Sequence, residues 1–336
     1  MKTKLFQILQ YLTLLSIGAG LSWLFFKNLN FNDIKEVLST GNFYWCYLVL
    51  IVSVMVYIFR VLRWQMLIRA TGYEAKFSNA FAALSIGYFV NFCFPRLGEV
   101  TRCLSVKKQD HIPFMQLLGT VIIERVVDII SLLIVLLLTL ILQFNKIIDF
   151  FHKNVFQPVY NGIIVKTMDG NSTILILVLC AIIIVSFLFI IYRKTILKKL
   201  PKYILQFIHG LKEGIASVSN IKQKNIFILY TFLIWVCYYL MTYFWFFVFE
   251  ETSLLTLGAC LTILSIGTIG RSIPIQGGGI GAYHFLVGQV VILYGVTGIV
   301  GKTLATLIHA GQTLFTFAMG LVGLIIFFVS YWKKNQ

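Results

Sequence analysis

Hydrophobic and polar positions in this chain neither alternate with a strand period nor form the one-sided stripe of a surface helix. They run in charge-free apolar blocks over residues 5–26, 41–59, 129–145, 172–192, 226–249, 252–270 and 310–330. A helix needs about 20 such residues to cross the hydrocarbon core of a bilayer, so each block predicts a membrane span. The expected fold is all-α: a polytopic transmembrane helical bundle of about eight spans plus re-entrant or broken helices. The spans fill residues 1–336 as a single integral membrane domain, with no room for a separate soluble one.

One block ends in a way few transmembrane helices do. The stretch "IGYFVNFCFPRLGEVTR" (86–102) starts apolar and finishes with Pro95, Arg96, Gly98, Glu99 and Arg102. The run 78–94 has positive charge at both ends and is therefore expected to enter and leave on one side. Broken backbone at membrane depth survives only where protein or a wet cavity satisfies its polar groups, so the break predicts a cavity. A second stretch, "IGTIGRSIPIQGGGIGAYH" (266–284), echoes the first. Each has Ile-Gly, a polar residue (Asn91, Arg271), a proline (Pro95, Pro274) and then glycine, namely Gly98 in one and Gly277, Gly278, Gly279 and Gly281 in the other. An odd number of spans between them sets the two in opposite orientations, the arithmetic of an inverted repeat with halves at about 43–143 and 226–331. The alternative is that Pro and Gly merely mark two loops. Past residue 250 two tracings are open. If 252–272, 283–299 and 303–331 all cross, Lys333 and Lys334 end inside; if 252–284 is re-entrant, the C-terminus ends outside. The basic tail favours the first.

Composition agrees: 59% of residues are hydrophobic and 12% charged, with a mean hydropathy of +0.89, against an apolar share of about 45–50% in soluble domains. The net charge of +16 does not point to nucleic acid, because the basic residues sit in particular loops between spans. Eight Lys/Arg against Glu213 in 193–224, and eight against Glu74 and Glu99 in 60–108, mark both segments as cytoplasmic by the positive-inside rule. Glu250 and Glu251 belong on the far side. A retained first helix with a cytoplasmic N-terminus fits residues 1–26 better than a cleaved signal peptide. The six cysteines (Cys46, Cys93, Cys103, Cys180, Cys237, Cys260) lack metal-ligand spacing, so neither a disulfide nor a metal site is expected.

Candidate chemistry gathers at the breaks. Arg60 and Arg63 share a helix face; alone they read as interface anchors as readily as ligands. With Arg96 and Arg102 they make a guanidinium cluster suited to phosphate. Glu124 and Asp128 are four apart, with Arg125 between them; ionisable groups inside a span are paired or functional. They either hold the arginines or couple transport, and both readings require contact between these elements. The glycines read as a hinge or as close helix packing. His284 and His309 are lone histidines, each more readily a packed residue than a proton relay. No HExxH, GxSxG or phosphate-loop pattern is present, and no catalytic residue or cofactor is expected.

At these residues the chain resembles the membrane region of lysylphosphatidylglycerol synthases, a flippase-like family that also occurs as stand-alone proteins. The motifs that carry the resemblance are "RVLRW" (60–64), "GYFVNFCFPRLGEVTR" (87–102), "ERVVD" (124–128) and "PIQGGGIGAYH" (274–284). The resemblance implies a polytopic bacterial or archaeal inner-membrane protein, of a family whose best-understood members move an aminoacylated phospholipid between leaflets through this region. It also maps the RLGE pattern onto Arg96, Leu97, Gly98 and Glu99, and ER..D onto Glu124, Arg125 and Asp128. The sequence departs from it in two ways. It ends at 336 without an aminoacyl-transferase portion, so lysyl transfer is not expected, and His284 stands where many relatives carry an acidic residue. The expected function is translocation of an anionic phospholipid or polyprenyl-linked lipid. Arg60, Arg63, Asn91, Arg96, Glu99, Arg102, Glu124, Arg125, Asp128 and Arg271 are the headgroup set, and Pro95, Gly98, Pro274 and the four glycines are the hinges. Anionic membrane lipids are the expected partners, with a separately encoded lipid-modifying enzyme as another. The alternatives are a polyprenyl-phosphate-dependent transferase with Glu99 or Asp128 as base, and a partner subunit of an envelope-lipid enzyme.

Overall fold

A computed structural model describes residues 16, 18–27, 30–151, 221–273 and 275–335. By its internal contacts the chain forms two units, residues 1–139 with 217–336, and residues 140–216. The described part of the second is the end of one long helix, which departs from helical geometry at Gln143; everything below concerns the first. The expected span at 172–192, most of the basic segment 193–224, the start of 5–26 and Pro274 lie outside the described residues.

Among the described residues regular structure is helical throughout. After a helical stretch at 18–26 come α1 (Phe31–Ser39), α2 (Tyr44–Ala70), α3 (Phe77–Cys93), α4 (Leu97–Asp110) and α5 (Phe114–Phe151). Then follow α6 (Lys224–Phe246), α7 (Glu250–Ser253), α8 (Leu257–Ser272), the single turn α9 (Gln276–Gly279), α10 (Ala282–Leu293) and α11 (Gly298–Asn335). The helices α2, α5, α6 and α11 are long and apolar enough to cross a membrane. This is an all-α polytopic membrane protein.

The short helices explain the polar breaks. The 17, 16 and 12 residues of α3, α8 and α10 make rods of roughly 26, 24 and 18 Å at about 1.5 Å per residue, below the hydrocarbon thickness of about 30 Å. Each therefore folds back on a neighbour. In the first hairpin α4 returns along α3, and the Asn91 side chain accepts the Gly98 N–H at 2.7 Å. A side chain at Gly98 would drive into the Gly87 carbonyl and come within 2.5 Å of Asn91 Cγ. In the second, α10 returns along α8, and a methyl group on Gly270 would lie 3.1 Å from Tyr283 Cα. The segments expected to cross at 252–272 and 283–299 are these two short rods. The final helix starts at Gly298 rather than 303 and runs unbroken to Asn335.

The order long, short, short, long thus occurs twice: α2, α3, α4, α5, and then α6, α8, α10, α11. The tetrapeptide Leu84-Ser85-Ile86-Gly87 recurs as Leu264-Ser265-Ile266-Gly267, and the two copies occupy like places. Gly87 packs on Gly98 and Arg102 of its returning helix; Gly267 packs on Tyr283 and Val287 of its own. The serines meet a long helix of the other kind: Ser265 shares a 2.6 Å hydrogen bond with Thr139 of α5, and Ser85 lies under Gly323 of α11. Small residues at such crossings let helices approach closely where no hydrophobic effect pulls them together.

The helices α2 and α6 pack lengthwise through Val49, Val52 and Val56 against Cys237, Met241 and Trp245. At the other end of the bundle Glu251 of α7 accepts the Thr297 hydroxyl at 2.9 Å and also its backbone N–H. That sets a carboxylate at the N-terminus of α11, where the helix dipole favours it.

Candidate functional site

The break in the first hairpin is abrupt because of its residues. Pro95 lacks an N–H for the helix ladder; Arg96 is in the left-handed region at φ 72°, uncommon for a side chain with a Cβ. The chain thereby reverses within three residues, and α4 begins at Leu97. Behind the turn lies a buried ion network. Arg60 Nη1 donates to Glu124 Oε1 at 3.0 Å and to Asp128 Oδ2 at 3.1 Å. Arg63, wholly buried, reaches Asp128 Oδ1 at 2.6 Å and Glu124 at 3.4 Å. Arg102 Nη2 donates to Glu124 Oε2 at 2.8 Å, and its guanidinium stacks 3.5 Å from the Trp64 ring centre. Trp64 in turn donates to Thr120 at 2.9 Å. Glu124 and Asp128 of α5 thus hold α2 and α4 together, the contact that both sequence readings required. Arg60 also donates to the Tyr238 hydroxyl at 2.9 Å, tying in α6, and Arg125 pairs with Glu99 at 3.1 Å.

The second break is made differently. Gly277, Gly278, Gly279 and Gly281 all have φ between 66° and 82°, a run that only glycine tolerates without strain. The turn lies against the first hairpin, with Phe92 beside Gly277 and Gly278. Arg271, the last basic residue of α8, stacks 4.4 Å from the Tyr283 ring.

Between the two breaks is a cavity of about 750 Å³, within the range of about 300–1,000 Å³ of small-ligand pockets. The first hairpin and α5 contribute Tyr88, Arg96, Glu99, Arg125 and Asp128; the second contributes Thr268, Arg271, Ser272 and Tyr283. The long helices add Ser53, Tyr57 and Arg60 from α2, Trp235, Tyr238 and Thr242 from α6, and Gln312 and Thr316 from α11. The arginines divide into two kinds. Arg60, Arg63 and Arg102 are held by carboxylates, and of these Arg60 alone lines the cavity. Arg96 and Arg271 line it with no carboxylate in ion-pair range among the described residues. Asn91 serves the turn itself through Gly98.

The residues missed from sequence are the hydroxyls and amides on the long helices: Tyr57, Tyr238, Thr242, Gln312 and Thr316. Their signal was weak but present, since each is a polar atom inside an apolar block.

Over 130 residues the chain is 29% identical to the UPF0104 membrane protein MJ1595 of Methanocaldococcus jannaschii, a match covering 38% of this chain and 36% of that one. The chain therefore aligns with little more than a third of that relative's length. No solved structure matches it. The family model described as the lysylphosphatidylglycerol synthase TM region matches residues 11–320, taking in both hairpins, the ion network and every wall of the cavity; the chain belongs to that family.

Proposed function

We propose that this protein carries the anionic headgroup of a membrane lipid across the bilayer through the cavity between the two hairpins while the acyl or polyprenyl tails stay in lipid. One observation carries the reading: Arg96 and Arg271, one from each hairpin, line a common cavity, and among the described residues neither has a carboxylate in ion-pair range. Guanidinium groups grip phosphate oxygens bidentately. The paired network is a scaffold that fixes Arg60 and the turn of Arg96 in place. The repeated long, short, short, long order supports an inverted repeat with halves at about 43–143 and 226–331, whose broken helices meet at the substrate.

The four long helices and the apolar blocks at 5–26 and 172–192 give an even number of crossings if both hairpins are re-entrant. The N-terminus and Lys333 then share the cytoplasmic face of the inner membrane, as the positive-inside rule asks.

The test is reconstitution in liposomes containing fluorescent phosphatidylglycerol or fluorescent phosphatidylcholine, followed by dithionite quenching from outside. Protein-dependent loss of protected phosphatidylglycerol is expected, slowed at least tenfold in Arg96→Ala and Arg271→Ala. Rates equal to those of empty liposomes for every anionic lipid offered, including a polyprenyl phosphate, would remove the proposal.

A further inference from the structure

The proposed translocation leaves unused a pair of buried imidazoles. His284 of α10 and His309 of α11 are 25 residues apart in sequence, yet their ring centres lie 4.5 Å apart. Both are buried, and together they grip the glycine turn. His284 Nδ1 accepts the Gly281 N–H at 3.3 Å, and His309 Nε2 lies 3.3 Å from the Gly278 carbonyl. The first bond requires a neutral His284 with its proton on Nε2, whereas the second needs only an Nε2–H on His309 and survives in its neutral and cationic forms alike, so His284 is the member whose grip a proton undoes. A proton on His284 Nδ1 turns that acceptor into a donor facing another N–H, and the bond to Gly281 is lost.

The charged and titratable neighbours come from each packed element. Tyr283 of α10 has its ring 5.4 Å from that of His309, and Arg271 of α8 lies 4.4 Å from the same Tyr283 ring. Lys302 of α11 reaches the Phe25 carbonyl at 3.0 Å, and the Phe25 ring lies 5.6 Å from His284. The stretch at 18–26 also brings Phe26 to 5.8 Å from His284. Among the described residues neither imidazole has a carboxylate in ion-pair range. The local charges are therefore Arg271 and Lys302, both positive, and Arg271 is joined to the pair through one aromatic ring.

We infer that the His284–His309 pair is a proton site coupled to the cavity, so that an anion at Arg271 and a proton on His284 favour each other and together release the bond that holds the glycine turn at Gly281. The inference rests on the proposed headgroup site. An anion on Arg271 cancels the positive charge facing the pair through Tyr283, and by reciprocity a proton there strengthens the anion's hold. Two like charges at this separation repel, so the pair takes one proton and not two. A singly charged headgroup then moves with one proton, and the step carries no net charge.

Two measurements on the full chain separate this inference from the function it rests on. The first needs no lipid substrate. With sulfate present as the anion for Arg271, amide exchange of peptides covering 275–285, corrected for intrinsic pH dependence and compared with peptides covering 86–98, should lose protection in the wild type as the pH falls from 8 to 4, and should lose less of it without sulfate. His284→Gln should flatten that response, and His309→Gln, which keeps a donor for Gly278, should not. A wild-type turn whose protection does not change with pH would overturn the inference even if lipid moves. The second uses proteoliposomes with fluorescent phosphatidylglycerol. A gradient of one pH unit should shift its steady-state distribution between leaflets about tenfold, as one proton per lipid requires. An imposed potassium diffusion potential should not shift it. A response to potential, or an equal response to the pH gradient in both histidine variants, would overturn the coupling. A turn that responds to pH while no anionic lipid moves would overturn the translocation reading.

Discussion

The two hairpins are built to one plan and held together by opposite means. The first is locked by charge: Glu124 alone receives Arg60, Arg63 and Arg102, and Gly98 is pressed on the Gly87 carbonyl. The second is held by glycine backbone, two imidazoles and one stacked arginine. Opening the first would strand several charges in a low-dielectric interior, whereas opening the second breaks bonds of ordinary strength. A device that must move at one place and stay rigid at another is expected to distribute its interactions in this way.

The contrast breaks most readily at Glu124. Glu124→Ala leaves three arginines short of a buried counter-charge, and breaking a buried ion pair costs about 3–5 kcal/mol. The expected outcome is loss of monodisperse protein on size exclusion after detergent extraction, with Glu124→Gln retaining more. Next comes Gly98→Ala, whose methyl group has no room beside Gly87 and Asn91; overpacking of this kind costs about 1–3 kcal/mol. It should lower the melting temperature. Gly279→Ala also meets a backbone carbonyl, that of Gly270 at 2.5 Å, but should reduce transport more than it reduces melting. If the two glycine variants melt alike and transport alike, the division of labour between the hairpins is wrong.

Smaller effects sharpen the comparison. Arg96→Ala and Arg271→Ala each remove a charged donor worth about 1.5–3 kcal/mol to a bound anion, or roughly 10- to 150-fold in affinity. Arg96→Ala should not move the melting point measurably, because its side chain pairs with no carboxylate among the described residues, and Arg271→Ala should lower it slightly through loss of the stack on Tyr283, worth about 0.5–1 kcal/mol at an exposed site. Titration of each variant with dihexanoyl phosphatidylglycerol in detergent gives the affinity. Last is Ser265→Ala, which removes the 2.6 Å bond to Thr139; interhelical hydrogen bonds in membrane proteins average about 0.6 kcal/mol, and a small drop in melting temperature is the expected reading.

How much of this was legible in the sequence depended on range. Apolar length gave α2, α5, α6 and α11, because span length is a local property. The first hairpin was legible because Pro95 and Gly98 lie beside charge that has to return to one side. The second was harder, since "IPIQGGGIGAYH" carries no charge to orient it, and α10 is too short to be told from a span without seeing what it packs on. In the site, the spacing of Glu124 and Asp128 announced paired carboxylates, but sequence had no means of sorting the arginines. Arg102 appeared as accessible as Arg96; only the fold seats one on Trp64 and leaves the other at the turn. The histidines failed for the same reason, since each looked solitary until α10 and α11 brought their rings together.

The seating of α11 on α3 has a consequence for biogenesis. Gly320 and Gly323, near the end of the chain, lie against Phe89 and Ser85 of the first hairpin. When residues 77–110 leave the ribosome, the helix that covers them has not yet been made, and a 17-residue rod followed by a basic return is too short to lodge across the bilayer alone. The nascent hairpin must be sheltered in the insertion machinery or rest at the interface until α11 is synthesised. Truncations that remove α11 should therefore expose residues 86–102 to added protease while leaving α2 inserted.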